Sequence, residues 1–254
     1  MIITKTVPYS LDKQRIDLIL KELKLVDSRN QALAMVVSGK VFVDDIKIVK
    51  PGKLIKSSSI IRLKKKEHSW VSRGGVKLNH VIEKFKINVS NKISLDLGCS
   101  TGGFTDVLIN KGVKKVYGVD VGYGQLDWKL RNSQKVVILE RTNARTLNSK
   151  IIPELIDIVV CDVSFISIKK VLIPVKRVLN KNFQIIALIK PQFEASKNEI
   201  GRGGIIKNVS LHKKICEDML IWFKENFGYK SIQLTDSPIL GQKGNKEFFI
   251  YLKN

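Results

Sequence analysis

The chain is predicted to be an α/β protein, and three observations predict it. From residue 93 onward, short and nearly continuous apolar runs alternate with helical patterns, as in a mainly parallel sheet covered on both faces. A glycine-rich turn, Asp96 to Thr105, leaves the first of these runs and opens a helix, the place where an open parallel sheet binds ligands. Ahead of them lies a separate, smaller and more basic stretch in which two short helices feed short strands, a small α+β unit.

In the front stretch, Ile16, Ile19, Leu20 and Leu23 recur at i, i+3, i+4, i+7, one face of a helix. A second helix starts at Ser28, where Ser28-x-x-Gln31 is a capping box, carries Ala32, Met35 and Val36 as its stripe, and stops at Gly39. Val41, Val43, Ile46 and Ile48 alternate around Asp44-Asp45 as two short strands, and Pro51-Gly52 is a turn. A unit of about sixty residues is only marginally able to bury a core.

Charge divides the chain at nearly the same place. Over 254 residues, 45 Lys and Arg stand against 23 Asp and Glu, a net of +22. Residues 1–66 hold 15 basic and 6 acidic side chains, about twice the net positive charge per residue of the remainder. The run Lys64-Lys65-Lys66-Glu67-His68 reads as a linker, which gives residues 1–63 as one domain, 64–72 as a basic linker and 73–254 as a second domain. Such an excess calls for a polyanionic partner, nucleic acid or an anionic membrane surface. With 36 Lys to 9 Arg, point contacts to phosphate are favoured over bidentate forks.

Arg15-Ile16-Asp17, Ser28-Arg29 with Ala32, Ser38-Gly39-Lys40-Val41-Phe42-Val43 and Lys50-Pro51-Gly52 together resemble the S4 RNA-binding domain across residues 14–56. That resemblance implies that Arg15, Arg29 and Lys40 touch an RNA backbone. Rigidly held cations on one surface bind phosphate without reading sequence.

The back stretch follows in order. Ile93 to Leu97 is a buried strand, Phe104 to Lys111 a helix and Lys114 to Asp120 a second strand. Val136 to Leu139 and Ile156 to Asp162 are the third and fourth, a helix covers roughly Ile166 to Leu179, and Gln184 to Lys190 is the fifth. Asn208 to Glu225 is helical, and Lys230 to Asp236 and Phe248 to Leu252 are closing strands.

The turn Asp96-Leu97-Gly98-Cys99-Ser100-Thr101-Gly102-Gly103-Phe104-Thr105 lacks the GxGxxG spacing of dinucleotide sites and the Gly-Lys-Ser/Thr of triphosphate sites. Its glycines let a ligand press against the backbone, and Asp120, ending the second strand, is placed to accept hydrogen bonds from a ribose diol. The stretch resembles the cofactor loop of class I (Rossmann-like) methyltransferases. That implies S-adenosylmethionine as cofactor, held by Asp96, Gly98, Ser100, Gly102, Phe104, Asp120, Asn143 and Asp162, with Asn143 beside the adenine. Cys99 and Cys161 read as small buried residues, since no His lies near either in sequence.

Four further contexts carry a second resemblance: Arg73-Gly74-Gly75-Val76-Lys77-Leu78, Cys161-Asp162-Val163-Ser164, Leu188-Ile189-Lys190-Pro191 and Gly244-Asn245-Lys246-Glu247. Each is similar to one part of the Lys-Asp-Lys-Glu tetrad of FtsJ-type RNA ribose 2′-O-methyltransferases. With Gly201-Arg202-Gly203-Gly204 and the S4-like front, the whole chain resembles the TlyA/haemolysin A family. The resemblance implies 2′-O-methylation of ribosomal RNA, of cytidine in 16S and/or 23S rRNA, with Lys77, Asp162, Lys190 and Glu247 catalytic. A ribose 2′-hydroxyl is a poor nucleophile, so oxygen, methyl and sulfur must be held in line and a proton removed as the bond forms. Lys190 is the expected base and Lys77 its cationic partner, with Asp162 and Glu247 orienting the two ammonium groups. The long Gly-rich loop after Lys190, residues 194–204, is expected to order over RNA with Arg202 near phosphate.

Neither a signal peptide nor an apolar run of the ~18 residues that span a bilayer is legible, so no stable membrane insertion and a cytoplasmic location are expected. Three widely spaced Cys, at 99, 161 and 216, suit a reducing compartment, and with only three His no metal is expected. The expected partner is ribosomal RNA or a ribosomal subunit. Two other readings stay open on sequence: a membrane-active haemolysin-like protein, and a non-catalytic S4 RNA-binding assembly factor.

Overall fold

A computed structural model describes residues 2–64 and 68–254, with Lys197, Arg202 and Gln242 described by their backbone alone. Lys65-Lys66-Glu67, the middle of the expected linker, lies outside the described residues. The chain divides into two compact units, Met1–Ser69 and Trp70–Asn254.

The first unit contains β1 (Ile2–Thr6), β2 (Gln14–Arg15), α1 (Ile16–Glu22), α2 (Arg29–Val37), β3 (Val41–Val43), β4 (Ile46–Ile48), β5 (Leu54–Ile55) and β6 (Ile60–Lys64). Its main sheet is antiparallel in the order β1-β6-β3-β4, and Ile16, Ile19, Leu20, Ala32 and Val36 pack the two helices onto Val41, Ile61 and Leu63. Ser28 caps α2 by accepting from Gln31 N at 3.2 Å, but the Gln31 side chain reaches one residue past the expected capping box, accepting from Asp27 N at 2.7 Å. Gly39, at φ +65°, ends the helix: its N–H goes to Val36 O and that of Lys40 to Met35 O, which satisfies the last carbonyls.

The second unit contains α3 (Arg73–Lys84), β7 (Ile93–Leu97), α4 (Gly103–Asn110), β8 (Lys115–Val119), α5 (Trp128–Arg131), β9 (Val136–Leu139), β10 (Ile156–Cys161), α6 (Ile168–Val175), β11 (Leu179–Ile189), α7 (Pro191–Glu194), α8 (Val209–Asn226), β12 (Ser231–Asp236) and β13 (Phe248–Lys253). Seven strands form one sheet, β12-β13-β11-β10-β7-β8-β9, in which only β13 pairs antiparallel to its neighbours. Alternate residues of each strand feed opposite cores. Ile185, Ala187 and Ile189 face the side covered by α6 and α8, and Ile186 and Leu188 face the side of α3 and α4. The chain order reverses between β7 and β10, which opens a cleft at their carboxyl ends.

The strands β1, β2, β5 and β6 and the short helices α5 and α7 are not read from the sequence, α6 ends at Val175 rather than near Leu179, and two further elements differ from expectation. Arg73–Lys84 is a full helix, although Gly74 and Gly75 mask its start. Trp70 lies where a Cβ on Gly75 would come within 2.4 Å, so packing rather than propensity selects that glycine. β11 begins at Leu179, five residues before the apolar run, because Leu179 pairs with Ile156 across an irregular register before the ladder resumes at Gln184.

Candidate active site

The glycine-rich loop is shaped by its neighbours. Gly98 follows β7 at φ +79°, and a Cβ there would stand 2.8 Å from the carbonyl oxygen of Asp162. Only glycine lets the exits of β7 and β10 lie against each other, where Asp162 N donates to Leu97 O at 3.0 Å. Gly102, at φ +92°, leads into α4, and a Cβ there would meet Leu130 at 2.3 Å. Asp96 lies fully buried beneath this loop, where Oδ2 accepts the Thr105 hydroxyl at 2.7 Å and Oδ1 has no hydrogen-bond partner among the described residues. Burial pushes its carboxyl up to about 7. Burial also pushes the Cys99 and Cys161 thiols up, away from the reactive thiolate.

Lys77 from α3, Asp162 and Ser164 beyond β10, Lys190 at the end of β11 and Glu247 ahead of β13 line one cavity of about 470 Å³. Two lysine–carboxylate pairs stand in its wall: Lys190 Nζ lies 2.6 Å from Asp162 Oδ1, and Lys77 Nζ lies 2.5 Å from Glu247 Oε2. Lys190 donates to Ser164 Oγ at 2.8 Å, whereas its approach to Asp162 Oδ1 is an ion pair without hydrogen-bond geometry. Lys77, Lys190 and Glu247 are all buried, so these charges meet with little water to screen them. Ser164 holds no role in the sequence reading. Its only signal there is its place two residues after Asp162.

An adjoining cavity of about 500 Å³ shares Gly98, Ser100, Asp162 and Ser164 with the first. Asp120 forms one of its edges. Its Oδ2 accepts from Ser100 N at 2.8 Å and its Oδ1 from Gly122 N at 2.7 Å, which leaves each oxygen further acceptor capacity. Val119, Val121, Ala144, Ile166 and Val171 supply apolar walls, and Asn143 caps the short turn at Ala144–Thr146 by accepting from Arg145 N at 3.0 Å. An apolar-walled cavity with a carboxylate at its edge, sharing Gly98 and Ser100 with the polar chamber beside it, has the size and the acceptors for a nucleoside with a polar tail. Of the residues expected at the cofactor, Gly98, Ser100, Phe104, Asp120, Asn143 and Asp162 line these two cavities, while Asp96 and Gly102 lie outside both linings.

Phe165 stands at the rim, 87% exposed and at φ +64°, its ring 5.2 Å from that of Phe193. A bulky residue held there is strained. The pair borders a further cavity of about 460 Å³ with Arg145, Lys170 and Gln192. Neither aromatic was singled out on sequence. The Gly-rich stretch after Lys190 is built from short turns, Lys197–Glu199 and Arg202–Gly204, and is fastened by Asn245, whose amide donates to Gly204 O at 2.9 Å and accepts from Ile206 N at 3.1 Å. The Arg202 side chain lies outside what is described.

In the first unit, Arg15 and Arg29 converge on one buried carboxylate. Asp17 accepts from Arg15 Nε and Nη2 and from Arg29 Nε, each at 3.0 Å. The Arg15 guanidinium beside it holds the Asp17 carboxyl below the usual carboxylate range. The arginine side chains remain 43% and 52% exposed, with outward N–H groups unused by Asp17. Lys40 is half-buried just past α2. Among the described residues no group of His, Cys, Asp and Glu could hold a metal ion, and no helix is long and apolar enough to cross a membrane.

Both units match known protein families. Residues 70–254 match the FtsJ-like methyltransferase model and residues 14–61 the S4 domain model. The chain is 39% identical, over 95% of its length and 90% of the relative's, to the 16S/23S rRNA (cytidine-2′-O)-methyltransferase TlyA of Mycobacterium tuberculosis. It is 41% identical to hemolysin A of Brachyspira hyodysenteriae, over 89% of this chain and 93% of that one. A solved structure from Streptococcus thermophilus that carries a hemolysin name superposes with a TM-score of 0.72 at 37% identity, covering 96% of this chain and 89% of that one. The seven-stranded sheet with its antiparallel β13 is that of class I methyltransferases, and an S4 domain precedes it. The chain belongs to the TlyA/haemolysin A family and is a methyltransferase.

Proposed function

We propose that this protein transfers the methyl group of S-adenosylmethionine to the 2′-hydroxyl of a ribose in ribosomal RNA, that of a cytidine. The observation that carries the reading is the meeting of two lysine–carboxylate pairs, Lys77–Glu247 and Lys190–Asp162, beside a nucleoside-sized cavity. The cofactor, when bound, supplies an already activated sulfonium methyl.

The chain's task is to bring the acceptor oxygen into line and remove its proton. Lys190, as its free amine, would take the hydroxyl proton while the oxygen–methyl bond forms and the methyl–sulfur bond breaks, with Asp162 and Ser164 fixing its direction and stabilising the ammonium that results. Lys77, held by Glu247 in the same wall, orients the ribose and balances the field. Asp120 would accept from the cofactor's ribose diol, and Gly98 would let the cofactor lie against the backbone. The exposed Phe165 ring, with the half-buried Phe193 beside it, suits an unstacked base. Arg15, Arg29, Lys40 and Arg202 are the proposed phosphate contacts.

Incubation of the protein with labelled cofactor and either naked ribosomal RNA or each ribosomal subunit, followed by nucleoside analysis, tests the reading. The expected product is 2′-O-methylcytidine. Label in a base, or none in any RNA, overturns it.

A further inference from the structure

Glu194 ends α7, four residues after Lys190, and lines none of the three cavities described above. Its carboxylate instead crosses to the other strand exit. Oε2 accepts the hydroxyl of Ser167 at 2.5 Å, and Oε1 accepts from Ile168 N at 2.9 Å. Ser167 is the N-cap of α6, so a carboxylate from another element satisfies a first-turn N–H and sets negative charge at the helix start. Burial raises the Glu194 carboxyl, and Lys169 is the cation that opposes this.

These contacts close a ring. The segment from Asp162 to Ser167 carries Asp162, Ser164 and the strained Phe165, and Lys190 holds its first half. Glu194 holds its second half, and α7 joins the two anchor points through Pro191, Gln192 and Phe193. Without the Glu194 contacts, the second half of the segment would keep only the packing of Ile166 and Ile168 and the Phe165–Phe193 ring contact, and the left-handed backbone of Phe165 would have more room to relax.

We propose that Glu194 is a positioning residue for methyl transfer: by tying Ser167 and Ile168 to the segment that carries Lys190, it sets the alignment of Lys190 with Asp162 and Ser164. The inference rests on the reading of Lys190 given above. Misplacement of a reacting group by about 1 Å costs about 100-fold in rate, which sets the scale expected.

The test uses the full chain, with cofactor affinity measured by calorimetry and transfer to ribosomal subunits measured with labelled cofactor. Glu194→Ala is expected to lower kcat about 10- to 100-fold, while cofactor affinity stays within about twofold, as for substitutions outside a binding site. Glu194→Gln should recover most of kcat, because its amide oxygen still accepts from Ile168 N and its NH₂ can donate to the Ser167 hydroxyl. A readout free of turnover accompanies these: acylation of Lys190, mapped by mass spectrometry against the other lysines, should be severalfold faster in Glu194→Ala. Equal losses in the Ala and Gln variants, or kcat and Lys190 acylation both unchanged in folded Glu194→Ala, overturn the inference. Should the unaltered protein label no RNA, the functional reading fails, and the Lys190 acylation rate still decides whether Glu194 positions that side chain.

Discussion

Lys77 Nζ lies 2.5 Å from Oε2 of Glu247, a partner 170 residues away in the chain. Lys190 takes a different carboxylate, Asp162. Each cation thus has its own anion, and the cavity wall carries two oriented amines without uncompensated buried charge.

Lys190→Ala is expected to lower methyl transfer by about 10²- to 10⁴-fold, the usual contribution of a positioned base. Cofactor binding, followed by calorimetry, should persist, since the nucleoside cavity does not depend on this side chain. Near-normal transfer in this variant would refute the assignment.

Gly98→Ala should damage both fold and cofactor binding. The added methyl meets the Asp162 carbonyl at 2.8 Å, and φ of +79° is strained for any side chain. A loss of about 1–3 kcal/mol in stability is expected from the backbone conformation alone, with a parallel loss of cofactor affinity. Urea unfolding and calorimetry on the same protein measure the two.

Asp96 predicts a pH dependence of stability. Its folded-state value of about 7 stands above the unfolded 3.8, so the folded chain holds this proton more tightly. The stabilisation is complete below about pH 4, declines as pH rises and is gone above about pH 7, for a total on the order of 4 kcal/mol. Asp96→Asn keeps the shape without the ionisation. Unfolding measured from pH 4 to 8 should therefore be flatter than in the unaltered protein, and the variant should be the more stable of the two at pH 8.

Arg15→Ala and Arg29→Ala should each weaken RNA binding and make its dependence on log salt shallower by about 0.7 to 0.9 for every phosphate no longer neutralised. Asp17→Ala should lose as much RNA affinity as either, because the exposed guanidinium groups are aimed by that one carboxylate. Filter binding across a salt series measures the slopes.

Much of this architecture is legible in the sequence. The strand at Ile93–Leu97, the cap at Ser28, the stop at Gly39 and the glycine loop at 98–103 depend on neighbours within a few residues, so the local chemistry names them. Asp162, Lys190 and Glu247 are readable because each sits at a recognisable strand end, whereas Lys77, inside a helix that the sequence hides, is reached through the resemblance alone. The helix at Arg73–Lys84 escapes because Gly74 and Gly75 depress its propensity, while packing against Trp70 and α4 stabilises it regardless.

What the sequence determined by itself was composition, period and turn chemistry: an α/β fold with a basic front unit and a glycine passage at the end of its first parallel strand. Tertiary structure alone decided which lysine meets which carboxylate, that Ser164 joins Lys190 from 26 residues away, and that Asn245 fastens Gly204 across 41. Those contacts arise where strands distant in sequence lie side by side in the sheet. No local pattern encodes such pairing, because the energy that selects it is shared across the whole packed core.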